Sequence, residues 1–189
     1  MILPKVRDPR LVTIRRGGLL TDPDHHLLAL WAAACAEHVL DLFEAECPSD
    51  LRPRHAIAGA RAWAAGELAM MQSRAAGGHA MGAARPLSGA ARFAAYAAGQ
   101  AACIPHVPEH DLGAAAYAIK APRAAAAAGD DGEAAARREC QWQLDQLPDP
   151  IRALVLDDQS RRNPICWSVF TEPGPLAAGP THPSGGLQR

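Results

Sequence analysis

The chain has 189 residues, enough for one domain with a sizeable core, and its 19 basic and 20 acidic residues give a net charge of −1. That balance speaks against the basic stripe of a nucleic-acid binder and the polybasic patch of a membrane-surface protein. Apolar residues make up 49%, yet 42 residues are alanine and only 5% are aromatic, so helix formers dominate, strand formers are scarce, and an all-α fold is expected.

Residues 1–20 carry mixed charge and no clear period. They read as an N-terminal arm, loosely attached, with Leu11-Val12-Thr13-Ile14 able to lie extended against the helices. No leader-like apolar run occurs there, because Leu11–Leu20 contains Arg15, Arg16 and two glycines. The longest strongly apolar run, Leu27–Ala36, is too short to span a bilayer. A soluble, cytoplasmic protein is the expectation.

The helical domain is expected over residues 21–160. Thr21-Asp22-Pro23 starts a first helix that runs to about Glu46, with Leu27, Trp31, Ala34, Cys35, His38, Leu42 and Phe43 on its apolar face. Glu37, Asp41 and Glu44 make an acidic row beside that face. A short connection at Cys47–Leu51 leads into a second helix over Asp50–Ser73, with Pro53 in its first turn and Ile57, Ala60, Ala64, Leu68 and Met71 as its stripe. The two helices should form an antiparallel hairpin, bringing Glu44 towards Arg54 and Glu37 towards Arg61. Trp63, Glu67 and Met70 border the other side of the stripe.

Gly77–Arg85 reads as a loop or a broken helix. A third helix follows from about Leu87 to Cys103, then a turn through two prolines, then a fourth helix from Glu109 to about Lys120 that Pro122 ends or kinks. Ala124–Ala128 is helical by propensity, and Gly129–Gly132 is a break. A fifth helix covers about Glu133–Leu147 and a sixth about Asp149–Gln159, giving a compact bundle of five or six helices. Residues 161–189 read as a mostly disordered tail, Gly/Pro-rich from Pro173, although the apolar stretch Ile165–Phe170 with Trp167 could dock back on the body. Alanine buries little area, so the large side chains must anchor the packing. The expected anchors are Trp31, Phe43, Ile57, Trp63, Leu68, Phe93, Tyr96, Tyr117, Ile119 and Trp142. The five cysteines form no CxxC pair and read as small core residues.

Catalytic patterns are weak. His106-Val107-Pro108-Glu109-His110-Asp111 contains the His-Asp dyad that helical metal-dependent phosphohydrolases use, and His55 or His79 with Asp157 or Asp158 could complete a ligand set. The competing reading is that Glu109 and Asp111 simply sit at a helix N-terminus, where the dipole favours acids. No Gly-x-Ser-x-Gly or phosphate-binding glycine loop occurs. No cofactor and no metal are expected. Arg52, Arg54 and Arg61 could form an anion site, but pairing with the acidic row is the simpler reading.

Three stretches together carry a resemblance. They are Leu30-Trp31-Ala32-Ala33-Ala34-Cys35-Ala36-Glu37 with Leu42-Phe43-Glu44, then Arg52-Pro53-Arg54 through Ala60-Arg61-Ala62-Trp63 and Gly66-Glu67, then His110 with Gly113-Ala114-Ala115-Ala116-Tyr117-Ala118-Ile119-Lys120. In this order they resemble the Imm-5-like family of immunity proteins, over about Leu27–Ala121. The glycines and Pro86 between Ala75 and Gly89 depart from that pattern. The resemblance implies a helical protein that binds and blocks a cognate protein toxin and is not an enzyme, with no membrane or nucleic-acid partner. The matched positions name Arg52, Arg54, Arg61, Trp63, Glu67, His110, Tyr117 and Lys120 as structural or binding candidates, Trp63 being expected as a packing anchor. The alternatives are a metal-dependent hydrolase of the His-Asp type and a helical adaptor.

Overall fold

The computed structural model describes residues 3–126 and 131–170. Eight α-helices are present among them and no strand: α1 (Asp22–His38), α2 (Asp41–Glu44), α3 (Arg52–Ala64), α4 (Met70–Ala84), α5 (Gly89–Cys103), α6 (Asp111–Ala125), α7 (Gly132–Asp145) and α8 (Asp149–Arg162). The all-α expectation holds, while the count of five or six does not. Two of the expected helices are each divided, and the stretch expected as a loop or broken helix is itself helical.

The division of the second expected helix has a clear cause. Gly66 takes φ +78°, and Gly66 N–H donates to Trp63 O at 2.9 Å while Glu67 N–H donates to Ala62 O at 2.8 Å. This is a Schellman stop, with glycine in the left-handed position and the last carbonyls capped. Ala69 then begins α4, so Met71 faces solvent instead of extending the stripe. The first expected helix ends at His38 because Val39 leaves helical geometry at φ −116°, ψ 9°. Val39, Leu40 and Phe43 are nevertheless buried. Thr21 caps α1 by accepting from Asp24 N–H at 3.2 Å.

Residues 77–84 are helical, and their glycines serve contact, not breakage. A Cβ on Gly77 would lie 2.7 Å from Gly99 O, and one on Gly99 would lie 2.5 Å from Met81 Cγ. The paired glycines therefore let α4 and α5 approach closely. Pro122 lies inside α6, which continues to Ala125. Ala127–Ala128, Gly129-Asp130 and the Gly/Pro-rich tail lie outside the described residues.

Helix α5 is central, packing against α1, α2, α3, α4 and α6. Its interior is largely alanine on every side, the signature of a helix surrounded by others. Alanine needs larger partners to fill the core. Trp31, Phe43, Leu112, Ile119 and Ile151 are fully buried, whereas Trp63, Phe93, Tyr96, Tyr117 and Trp142 stay half-exposed. Trp31 Nε1–H donates to Gln143 O at 2.9 Å, tying α1 to α7. All five cysteines are free, and four are buried.

Residues 3–20 form two short 3-10 turns, Pro9–Leu11 and Ile14–Arg16. Arg7 grips the buried Glu109 through two nitrogens, at 2.7 and 2.6 Å. Arg161 reaches Asp8 at 2.6 Å, and Arg10 pairs with Asp157. The segment is thus ionically joined to α8 and to the start of α6.

Candidate functional site

The arginines of α3 are held by the facing acids, as the charge rows predict. Arg54 pairs with Glu44 at 2.8 and 2.7 Å, and Arg61 with Glu37 at 2.7 and 2.5 Å. The residue order of the two pairs makes α3 antiparallel to the α1–α2 segment. Arg52 pairs with Asp50. Glu67 is exposed, and with Glu37, Leu40, Arg54 and Arg61 it lines a shallow groove of about 410 Å³. With each arginine bidentate to its own carboxylate, these side chains hold the hairpin together and leave little charge to offer.

The His-Asp dyad is built differently from a metal site. His110 Nδ1–H donates to Gln100 Oε1 at 2.6 Å, and burial lowers the imidazole pKa to about 4. Asp111 is fully buried and accepts from Arg162 at 3.0 Å. Asp158, the distant acid that a metal would need, does come to this place, but Arg162 Nε donates to it at 2.8 Å. A guanidinium therefore sits between the two carboxylates. Arg162 also donates to Glu109 O at 2.9 Å. Burial pushes the Asp111 carboxyl upward against the pull of Arg162. His55 and His79 lie exposed on other helices. No group of three or more His, Cys, Asp or Glu suited to a metal occurs among the described residues.

Trp63 closes the end of α3 against His25 and His26, edge to face at 4.7 and 4.8 Å between ring centroids. It also lines a cavity of about 250 Å³ whose walls include Arg7, Arg15, Arg16, His25 and His106.

Tyr117 and Lys120 belong to a separate surface cluster. Phe93 and Tyr96 stand one turn apart on α5, Tyr117 and Lys120 one turn apart on α6, and the Tyr96 and Tyr117 rings are 5.0 Å apart. Trp167 comes over from beyond α8 to within 4.9 Å of Tyr117. Lys120 Nζ lies 3.8 Å from the Trp167 ring centroid and 4.5 Å from that of Phe93, and the Arg92 guanidinium lies 5.5 Å from that of Tyr96. Burial lowers the Lys120 pKa and raises that of Tyr117.

Trp167 is held there by an unusual turn. Trp167 and Ser168 take φ +60° and +55°, conformations costly for side chains with a Cβ. Asn163 holds the turn in place. Its O accepts from Ser168 N–H at 2.8 Å, its Nδ2 donates to Phe170 O at 2.9 Å, and its Oδ1 accepts from Phe170 N–H at 3.1 Å. Val169 and Phe170 are buried while Trp167 remains 43% exposed. Within Ile165–Phe170, Cys166, Val169 and Phe170 dock against the body, while Ile165 and Trp167 face solvent.

Sequence reasoning did not foresee Arg7, Arg15, Arg16 or Arg162 as site residues. Arg7 meets Glu109 across 102 positions and Arg162 meets Asp111 across 51, which no local pattern announces, whereas the Arg15–Asp22 and Arg162–Asp158 pairs are seven and four positions apart. Trp167 was signalled only as part of the apolar stretch Ile165–Phe170, with nothing to say that its ring would stay outward.

None of the described helices is long and apolar enough to cross a membrane. No curated protein and no solved structure matches the chain. A family model described as Imm-5 like putative immunity protein matches residues 18–150. That span includes α1–α7, the paired arginines of α3 and three of the four rings of the surface cluster. The chain belongs to the Imm-5 like immunity protein family.

Proposed function

We propose that this protein neutralises a cognate protein toxin by binding it, without catalysis, and that Phe93, Tyr96, Tyr117, Lys120 and Trp167 form the contact. Family membership supports a protein partner in general. The observation that carries the contact surface is the Trp167–Ser168 turn, where a half-exposed tryptophan is held in a left-handed conformation over a lysine. Such strain costs about 1–3 kcal/mol per residue and persists where surrounding structure enforces it, often at binding sites. Tryptophan, tyrosine and arginine are also the side chains that dominate protein interfaces, because rigid rings bury much area at little entropic cost.

The role of Trp63 follows from its packing. Its ring packs edge-on against His25 and His26, so we assign it to support of the α1–α3 hairpin and not to the toxin contact. Arg54 and Arg61 serve the same hairpin, while Arg52 pairs locally with Asp50 at the start of α3.

The test is co-expression with the toxin encoded beside this gene, scored by host survival. Wild type should protect, and Trp167→Ala/Lys120→Glu should fail to protect at equal soluble level and unchanged melting. Protection by the double variant equal to wild type would place the contact elsewhere. A chain with no toxin-encoding neighbour and a stable non-toxin complex would favour the adaptor reading.

A further inference from the structure

We infer that the cavity between the N-terminal segment, Trp63 and the 105–108 turn is a binding site for a small phosphate-bearing molecule, a phosphomonoester. The cavity is about 250 Å³, and the three arginines and two histidines in its wall are joined by no carboxylate. Its nitrogen-bearing groups come from three separate parts of the chain: Arg7, Arg15 and Arg16 from the N-terminal segment, His25 from α1, whose Nε2–H donates to Ile104 O at 2.9 Å, and His106 from the turn before α6, burial lowering the pKa of both imidazoles.

Two of the arginines are already half used. Arg7 is engaged by Glu109, and Arg15 by Asp22 at 2.9 Å. Arg16 has no acidic partner among the described residues. His106 Nδ1 is buried with no hydrogen-bond partner among them. The Trp63 indole N–H likewise has no acceptor there. Arg16 is thus the one arginine of the wall with no acid beside it among the described residues, and the unpartnered His106 Nδ1 lies in the same wall. The field is visible in His106 itself, whose pKa is lowered first by burial and then by Arg74, Arg16 and Arg7.

The geometry favours phosphate over carboxylate. A carboxylate is planar and is best met by one bidentate fork. Here the wall groups come from three separate segments, the N-terminal segment, α1 and the 105–108 turn, more than one planar fork needs and suited to an anion with three acceptor oxygens. The volume exceeds that of the anion alone. At roughly 30 Å³ of liquid volume per water, it corresponds to about eight waters. Trp63 and Met70 supply an apolar wall for the substituent. This site shares no residue with the aromatic surface proposed for the toxin, so either can fail without the other.

The experiment is calorimetric titration of the full-length protein with phenyl phosphate, inorganic phosphate and acetate, each against chloride at matched ionic strength. Phenyl phosphate should saturate one site per chain more tightly than inorganic phosphate, and acetate should not saturate. Arg16→Gln should weaken phenyl phosphate binding by about tenfold or more, the loss of one charge-assisted hydrogen bond. Its melting temperature should match wild type, because Arg16 has no ion pair to lose. Arg92→Gln, which removes a guanidinium outside the cavity, should bind as wild type. The inference is overturned by absence of saturation above the chloride background, by acetate binding as tightly as phosphate, or by Arg16→Gln and Arg92→Gln behaving alike.

Discussion

Replacing Arg162 by methionine should be among the most damaging single changes in the chain. Arg162 is 4% exposed and stands between Asp111 at 0% and Asp158 at 1%. Methionine fills much of the same space but leaves the interior Asp111 with no cation and Asp158 with only Arg161, at 3.2 Å. Each must then stay charged in the interior or take up a proton. At pH 7, protonating a carboxyl of ordinary pKa near 3.9 costs about 4 kcal/mol, at 1.36 kcal/mol per unit. That agrees with the roughly 3–5 kcal/mol seen when one partner of a buried pair is removed. A domain of this kind has only about 5–15 kcal/mol in total. At about 2–4 °C per kcal/mol, the melting temperature should fall by roughly 6–20 °C at pH 7. The variant's stranded carboxyls have raised folded-state pKa values, so its folded state binds more protons than its unfolded state. Its deficit should therefore shrink as the pH falls from 7 to 5. Thermal melts and urea titrations at both pH values measure this, and adding Asp111→Asn and Asp158→Asn should restore at least half the loss. A deficit below about 1 kcal/mol at pH 7, or one equally large at pH 5, would refute the reasoning.

Three further outcomes follow from the same geometry. His110 is held near pKa 4, well below its unfolded value, so the unfolded state binds the extra proton between about pH 4 and 6.5 and stability should fall on acidification through that window; His110→Gln, compared by urea titration at pH 4.5 and 7, should lose less on acidification than wild type, and an equal loss would contradict the assignment. Gly77→Ala places a Cβ against the Gly99 carbonyl and should cost about 1–3 kcal/mol, whereas Gly78→Ala meets nothing within 4 Å and should be neutral or stabilising by up to about 1 kcal/mol; equal melts for the two would contradict the close approach of α4 and α5. Arg54→Ala and Arg61→Ala each remove an exposed pair and should each change stability by less than about 1 kcal/mol in denaturant titration.

Much of the helical layout was legible because alanine content, proline starts and apolar spacing all act locally. The hairpin pairing of Arg54 and Arg61 could be read as well, since charge rows on facing helices must meet once the connection is short. The divisions were harder to see. Gly66 has the same composition signal as Gly77, yet one stops a helix and the other sits inside one. What separates them is tertiary: Gly77 has another helix backbone to lie against, and Gly66 has two carbonyls to cap. Asp111, with Asp157 or Asp158, could be read only as part of a metal-ligand alternative that ranked below placing Asp111 at a helix N-terminus. That the cation is Arg162 depends on a contact across 51 positions, which no spacing rule contains. The surface cluster was half legible, in Tyr117 and Lys120. Trp167 joins it only through the Asn163 turn, a conformation that sequence periodicity does not encode.

The measurement closest to the central claim is the affinity of the purified, catalytically inactivated toxin for this protein and two variants. Trp167→Ala/Lys120→Glu removes the exposed ring and reverses the charge it covers, while Arg54→Ala/Arg61→Ala alters the α3 groove and leaves the aromatic cluster intact. Loss of an interface hot spot costs about 2 kcal/mol or more, a weakening of roughly 30-fold. The account predicts at least that weakening for the first variant, with an unchanged melt, and wild-type affinity for the second. Full affinity in the first variant together with loss in the second would contradict it and move the toxin contact to α3.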